Sequence, residues 1–255
     1  MRTLLVIGIG AGDPDQMTIQ AIKALNRAEV VFIPAKRGKD GLAALRREIC
    51  RRFMTRESWR EVGYEVPKRA EPDPSYRQSV DDWHAAIGAT WEKLLEDELD
   101  ENGCAALLVW GDPSLYDSTL RIVEHLVRRG RIPFEYEVFP GITSIQALAA
   151  KHRIPLNTIG GPVHITTGRR LSEKFPADAD SVVVMLDGVQ AFRGVPPENV
   201  DIYWGANLGT DSESAIAGPL GEKADAISQA RATARDKAGW VMDTYLLRKR
   251  LPDSD

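Results

Sequence analysis

Three turns share one chemical character: Gly8-Ile9-Gly10-Ala11-Gly12-Asp13-Pro14, Gly111-Asp112-Pro113-Ser114-Leu115-Tyr116 and Pro140-Gly141-Ile142-Thr143-Ser144. Each follows an apolar run, and each is built from small residues that leave backbone N–H and C=O groups open to a ligand. Such a ligand is recognised by shape and main-chain hydrogen bonds, with few ionisable side chains. Nothing resembles a Ser/His/Asp or Cys/His nucleophilic arrangement. Cys50 and Cys104 show no metal-ligand spacing and read as small buried hydrophobes, so no metal is expected. Taken singly, each turn also has a structural reading: Gly-Asp-Pro as a plain turn, or Pro-Gly before a Thr/Ser helix cap. Three together favour one shared site.

The turns need strands to carry them. Leu4–Ile9, Val30–Ile33 and Ala105–Trp110 are short apolar runs suited to buried strands, and Phe134–Phe139 is another strand. Helical spacing separates them: Ile19, Ile22 and Leu25 behind a Thr18 cap, then Val80 to Leu95, then Leu120 to Val127 closed by Gly130. A further helix starts near Thr143. Alternation of this kind predicts a mostly parallel α/β sheet, whose ligands dock at the carboxyl ends of strands. In the second half Val163–Thr166, Ser181–Leu186, Val200–Trp204, Ser214–Ala217 and Trp240–Leu247 read as strands, and 169–174 and 221–237 as helices. The expected organisation is an N-terminal α/β lobe over 1–153, a junction over 154–160 containing Pro155, and a C-terminal α/β lobe with a mixed sheet over 161–255. The active-site cleft is expected between the lobes, and the tail after Arg250 is expected to fray.

Composition bounds the function. The 255 residues carry 33 Lys+Arg against 37 Asp+Glu, a net charge of −4. That argues against a global grip on nucleic acid. No apolar run is long enough to span a membrane or serve as a signal-peptide core. Two isolated thiols suit a reducing cytoplasm. Locally the balance shifts: residues 36–69 hold eleven bases and five acids, and residues 71–101 ten acids and two bases. The acids fall largely on the solvated face of an amphipathic helix marked by Val80, Trp83, Ile87, Trp91, Leu94 and Leu95. The basic residues Arg46, Arg47, Arg51 and Arg52, and separately Arg169 and Arg170, are either another solvated face or partners for an anionic ligand.

The first glycine turn invites a dinucleotide reading and fails it. Asp13 stands where the fingerprint needs a third small residue, Pro14 delays the helix, and Glu29 precedes the second strand. No phosphate-binding GxxxxGK[ST] loop occurs either.

Taken together, Gly8-x-Gly10-x-Gly12-Asp13-Pro14 with Thr18, Gly111-Asp112-Pro113, Pro140-Gly141-Ile142-Thr143-Ser144 and Met185 closing a Val-rich strand resemble the tetrapyrrole methylase family. The likeness covers nearly the whole chain in the right order. It implies two α/β lobes and S-adenosylmethionine bound bent between them. It also implies a cofactor site at Gly10, Ala11, Gly111, Asp112, Leu115, Thr143, Ser144, Met185, Leu186, Asn207 and Leu208, and a homodimer. Two departures stand out: Ala11 where many members have Pro, and Leu186-Asp187-Gly188 where a tyrosine or glycine is usual.

Within the family, Trp110–Thr119, Gly141–Ala147, His164–Arg170, Tyr76-Arg77 and Trp83-His84 are most similar to the members that methylate precorrin-5 at C1 and release acetate. The resemblance implies precorrin-5, S-adenosylmethionine and water as reactants, with precorrin-6A, S-adenosylhomocysteine and acetate as products. The acetate release so implied calls for a general base or oxyanion donor, for which Asp112 and Tyr116 are the candidates, with His84 and His164 as alternatives. The precorrin is a polyanion, which gives the arginines named above a role as substrate contacts. Two alternatives stay open: the same fold acting on another precorrin, an RNA or a protein, and a non-catalytic tetrapyrrole-binding protein.

Overall fold

A computed structural model describes residues 1–35, 40–68, 76–176, 178–239 and 241–250. The chain divides into two units, Met1–Ile142 and Thr143–Asp255.

The first unit runs β1 (Arg2–Gly8), α1 (Ile19–Leu25), β2 (Val30–Ala35), α2 (Asp40–Phe53), β3 (Arg60–Glu65), α3 (Tyr76–Glu98), β4 (Cys104–Val109), α4 (Thr119–Arg129) and β5 (Phe134–Phe139). Its five strands form one sheet in the order β3-β2-β4-β1-β5 with every pairing parallel. Alternation along β1 explains why the run is apolar throughout. Leu5 and Ile7 join the core of α1 and α2, whereas Leu4 and Val6 face the opposite core with Ile87, Trp91 and Leu95 of α3 and Ile122, Val123 and Leu126 of α4.

This order places a switch point between β4 and β1. From β1 the chain leaves for the α1 face, and from β4 for the α4 face. Turns that depart from adjacent parallel strands toward opposite faces leave a gap at the carboxyl ends, where α/β sheets take ligands. The glycine turn and the Gly-Asp-Pro turn both stand there.

The second unit runs α5 (Ser144–His152), β6 (Val163–Thr167), α6 (Gly168–Glu173), β7 (Ser181–Met185), β8 (Val200–Ala206), β9 (Ser214–Pro219), α7 (Leu220–Ala238) and β10 (Asp243–Lys249). The sheet order is β6-β7-β10-β8-β9; β6 and β7 are parallel and the other pairings antiparallel, so the sheet is mixed as expected. One face buries Val182, Val184, Ile202, Trp204, Tyr245 and Leu247 under Leu171, Phe192 and Ile227.

Several expectations shift. Helix α5, expected with the first lobe, groups with the second unit, because Leu148 packs against Gly205 and the His152 ring bonds the Trp204 carbonyl at 3.0 Å. Strand β3 was hidden in the basic stretch; its signal is the alternation Val62, Tyr64, Val66, which packs on the α3 side of the sheet. The last strand runs Asp243–Lys249, later than the expected Trp240–Leu247. Lys36–Lys39 and Arg69 of the basic stretch, Trp240, the side chains of Tyr76 and Arg77, and the tail after Arg250 lie outside the described residues. No described helix is long and apolar enough to cross a membrane.

Candidate functional site

The three turns of the first unit interlock backbone to backbone. Gly10 and Gly111 form an isolated antiparallel bridge: Gly111 N–H donates to the Gly10 carbonyl at 2.8 Å and Gly10 N–H to the Gly111 carbonyl at 3.3 Å. Gly8 and Gly141 pack so closely that a β-carbon on Gly8 would lie 2.5 Å from Gly141 N and 2.9 Å from the Gly111 oxygen. The Ala11 N–H is taken by Gln16 Oε1 at 2.7 Å, so Ala11 is buried and fixed without the ring of a proline. Gln16 went unnoticed in the sequence, and nothing in its spacing marks it.

Asp112 fastens the second and third turns together. Oδ2 accepts from Gly141 N–H at 2.8 Å, and Oδ1 accepts from Ser114 N–H at 2.8 Å and from the Ser114 hydroxyl. Partial burial pushes the carboxyl up, but the bonds from Ser114 and Gly141 together outweigh it and hold Asp112 below its ordinary value. A carboxylate so engaged is a weak base. Leu115 N–H returns to the Asp112 carbonyl at 3.3 Å, and Tyr116 follows in the left-handed region, φ 51°, with an exposed ring. Burial of part of its phenol raises Tyr116 above the usual value, so it stays a hydroxyl donor at neutral pH. His84 lies in a polar groove of about 330 Å³ between α3 and α4, with Nε2 2.8 Å from Ser118 Oγ just before α4. His164 is exposed on the edge strand β6.

In the second unit the carboxyl ends of β7 and β8 flank the start of β10, with Met185 opposite Thr244 and Ala206 opposite Asp243. The expected cofactor residues Met185-Leu186 and Asn207-Leu208 therefore share one sheet edge, one strand apart. Both turns use a left-handed non-glycine residue, Leu186 at φ 51° and Asn207 at φ 50°. Leu186 is 66% exposed, whereas Asn207 and Leu208 are buried and Leu208 packs at Gly205. Asn207 is fixed by exchange with Met242: its N–H donates to the Met242 carbonyl at 2.8 Å, and its Oδ1 accepts from Met242 N–H at 3.2 Å. Thr143 caps α5 in a reciprocal box with Gln146, and half-buried Ser144 opens the helix.

The arginines separate. Arg46 is buried, its Nε donating to the Leu108 carbonyl at 2.8 Å and its Nη1 to Leu42 at 2.9 Å, so it ties α2 to β4. Burial lowers its pKa. Arg47 is exposed and forks onto Glu61, Arg51 and Arg52 converge on Glu48, and Arg52 also reaches Asp15. Arg170 pairs with Glu173, and Arg169 is an exposed neighbour on α6.

Residues 3–224 match the family model for tetrapyrrole (corrin/porphyrin) methylases. A curated relative, precorrin-6A synthase [deacetylating] of Sinorhizobium sp, is 57% identical over 250 residues, 98% of this chain and 96% of that protein. This chain belongs to the tetrapyrrole methylases. The crystal structure of a cobalamin-synthesis-related protein (CobF) of Corynebacterium diphtheriae superposes with a TM-score of 0.85 at 38% identity, covering 98% of this chain and 99% of that one. The uroporphyrin-III C-methyltransferase of Thermus thermophilus in complex with S-adenosylhomocysteine shares the fold, with a TM-score of 0.56 at 19% identity and 96% and 97% coverage.

As a tetrapyrrole methylase, the chain presents features that fit a sulfonium nucleoside. In the first unit the ionised Asp112 and the main-chain carbonyls of the turns are chemically suited to a cationic sulfur.

Proposed function

We propose that this tetrapyrrole methylase transfers a methyl group to C1 of precorrin-5 and releases acetate, giving precorrin-6A. The observation that carries the reading is 57% identity over nearly full length to a precorrin-6A synthase [deacetylating]. When bound, S-adenosylmethionine supplies a methyl made electrophilic by its sulfonium. The residues that would hold it are Gly10, Ala11, Gly111, Asp112 and Leu115 in the first unit, and Thr143, Ser144, Met185, Leu186, Asn207 and Leu208 in the second. The N–H groups of Gly10 and Ala11 are spent within the protein, so these two contribute contour and carbonyl oxygens. Their rigidity is catalytic in itself, since methyl transfer demands positioning more than acid–base chemistry.

Acetate release adds water to the acetyl carbon and breaks its bond to the macrocycle, whose ring accepts the electron pair. Tyr116, held protonated, is the donor we assign to the acetyl oxygen, and Asp112 is the clamp that fixes the turn carrying Tyr116. Arg47, Arg51, Arg52, Arg169 and Arg170 are the substrate-carboxylate candidates, because Arg46 is committed to the backbone of β4. A homodimer working in the cytoplasm completes the reading. Incubation with precorrin-5 and labelled S-adenosylmethionine tests it: methylated corrinoid and acetate should appear in equal amounts. Methylated product without acetate would refute the deacetylating step, and no product would refute the substrate.

A further inference from the structure

A buried polar network of the second unit is centred on Asp187, the residue after Leu186. Asp187 is buried, with Oδ1 accepting from Val189 N–H at 3.0 Å and Oδ2 from Ala191 N–H and the Tyr245 hydroxyl, each at 2.7 Å. Its carbonyl accepts from Arg231 Nη2 at 2.7 Å, while Arg231 Nε donates to Asp243 Oδ2 at 3.0 Å, an oxygen that Trp204 Nε1 also reaches at 3.0 Å. Arg231 thus joins the end of β7 to the start of β10. Gly168 leaves room for the carboxylate: a β-carbon there would come within 2.4 Å of Asp187 Cγ and Oδ1. Directly before Asp187, Leu186 holds a conformation that costs a branched side chain energy, yet its side chain is not spent on packing. Strain of that kind persists where the surroundings over-determine it, and here the surroundings are the Asp187 network.

We propose that Asp187 is a positioning residue for the S-adenosylmethionine site: it locks the turn after β7 so that Leu186 stands left-handed with its side chain outward, and Arg231 and Gly168 hold Asp187 in place. The inference rests on the function proposed above and extends it to residues that touch no ligand. In a turn that reads Leu-Asp-Gly, the buried carboxylate supplies the rigidity. A purely structural role for the network would show up as lost stability alone.

Calorimetric titration with S-adenosylhomocysteine separates the two. Asp187→Asn should weaken binding at least about tenfold, and Gly168→Ala should weaken it in the same direction by displacing the carboxylate without removing it. The KM for S-adenosylmethionine should rise in parallel while kcat at saturation stays within about threefold of wild type. Amides of Val189 and Ala191 should exchange faster in Asp187→Asn. Folded variants that melt lower but bind with wild-type affinity would overturn the proposal. If Asp187→Asn does not fold, Tyr245→Phe, which removes one hydroxyl, decides on the same titration, with about threefold weakening expected and none overturning it. A wild-type protein that fails to bind S-adenosylhomocysteine would overturn the proposed function itself, whereas wild-type binding with unaltered variants would overturn only the role of Asp187.

Discussion

A β-carbon on Gly141 would lie 2.1 Å from the Gly111 oxygen and 2.9 Å from Gly8 Cα, so Gly141→Ala must move two backbones at once. Neither neighbour is a flexible side chain. The variant should lose about 1–3 kcal/mol of stability to denaturant and most of its S-adenosylhomocysteine affinity, which chemical unfolding and calorimetry would read separately. Asp112 carries a pH signature. Its folded carboxyl lies below the ordinary value, so its stabilising contribution is fully present above about pH 4 and fades as pH falls through the folded value. Asp112→Asn should therefore melt below wild type at neutral pH, with the gap closing in acid; a gap independent of pH would show that the clamp is not electrostatic. At this scale the sequence was legible where residue type constrains the backbone, as at the glycines. It was not legible where burial decides the role. Arg46 and Arg47 are neighbours of one type, yet one is buried against main-chain carbonyls and the other forks onto Glu61 at the surface. Only the helical phase of α2 against β4 distinguishes them.

At the scale of elements, strands were legible where apolar residues run together, and β1 differs from its expected span only at its ends; the edge strand Phe134–Phe139 also falls where it was expected, although Glu135 and Glu137 interrupt it. Strand β3 escaped because it is an edge strand with one wet face, and three alternating residues among charges are a weak signal. The two-unit boundary escaped for another reason. Pro155 and Gly160-Gly161 interrupt the local pattern, but α5 joins the second unit through Leu148 and the His152–Trp204 contact, which are tertiary facts. Helix α5 also offers a clean experiment. Thr143→Ala removes the capping box and should cost about 1 kcal/mol, whereas Thr143→Ser should restore most of it. If the Thr143 hydroxyl also serves the cofactor, the Ala variant alone loses S-adenosylhomocysteine affinity, and the titration tells the two effects apart.

For the whole molecule, ligand binding should register as added stability. S-adenosylhomocysteine at about 100 times its Kd should stabilise the native protein by about 2.7 kcal/mol, and a nicotinamide dinucleotide should not. Hydrogen exchange should then slow together at Gly8–Ala11, Gly111–Tyr116 and Met185–Asp187. A segment whose exchange does not change would drop out of the proposed cofactor residues.

The strand order has a consequence for how the chain comes into being. Strand β1 pairs on one side with β4 and on the other with β5, matching Leu4 to Ala105 and to Tyr136. At a synthesis rate of about 5–20 residues per second, Leu4–Ile7 leaves the ribosome roughly 5–20 s before its first partner and longer before its second. Throughout that wait four consecutive apolar residues have no sheet to enter, so the nascent chain carries an apolar segment unsheltered, and a ribosome stalled before Phe134 would leave it permanently half-paired.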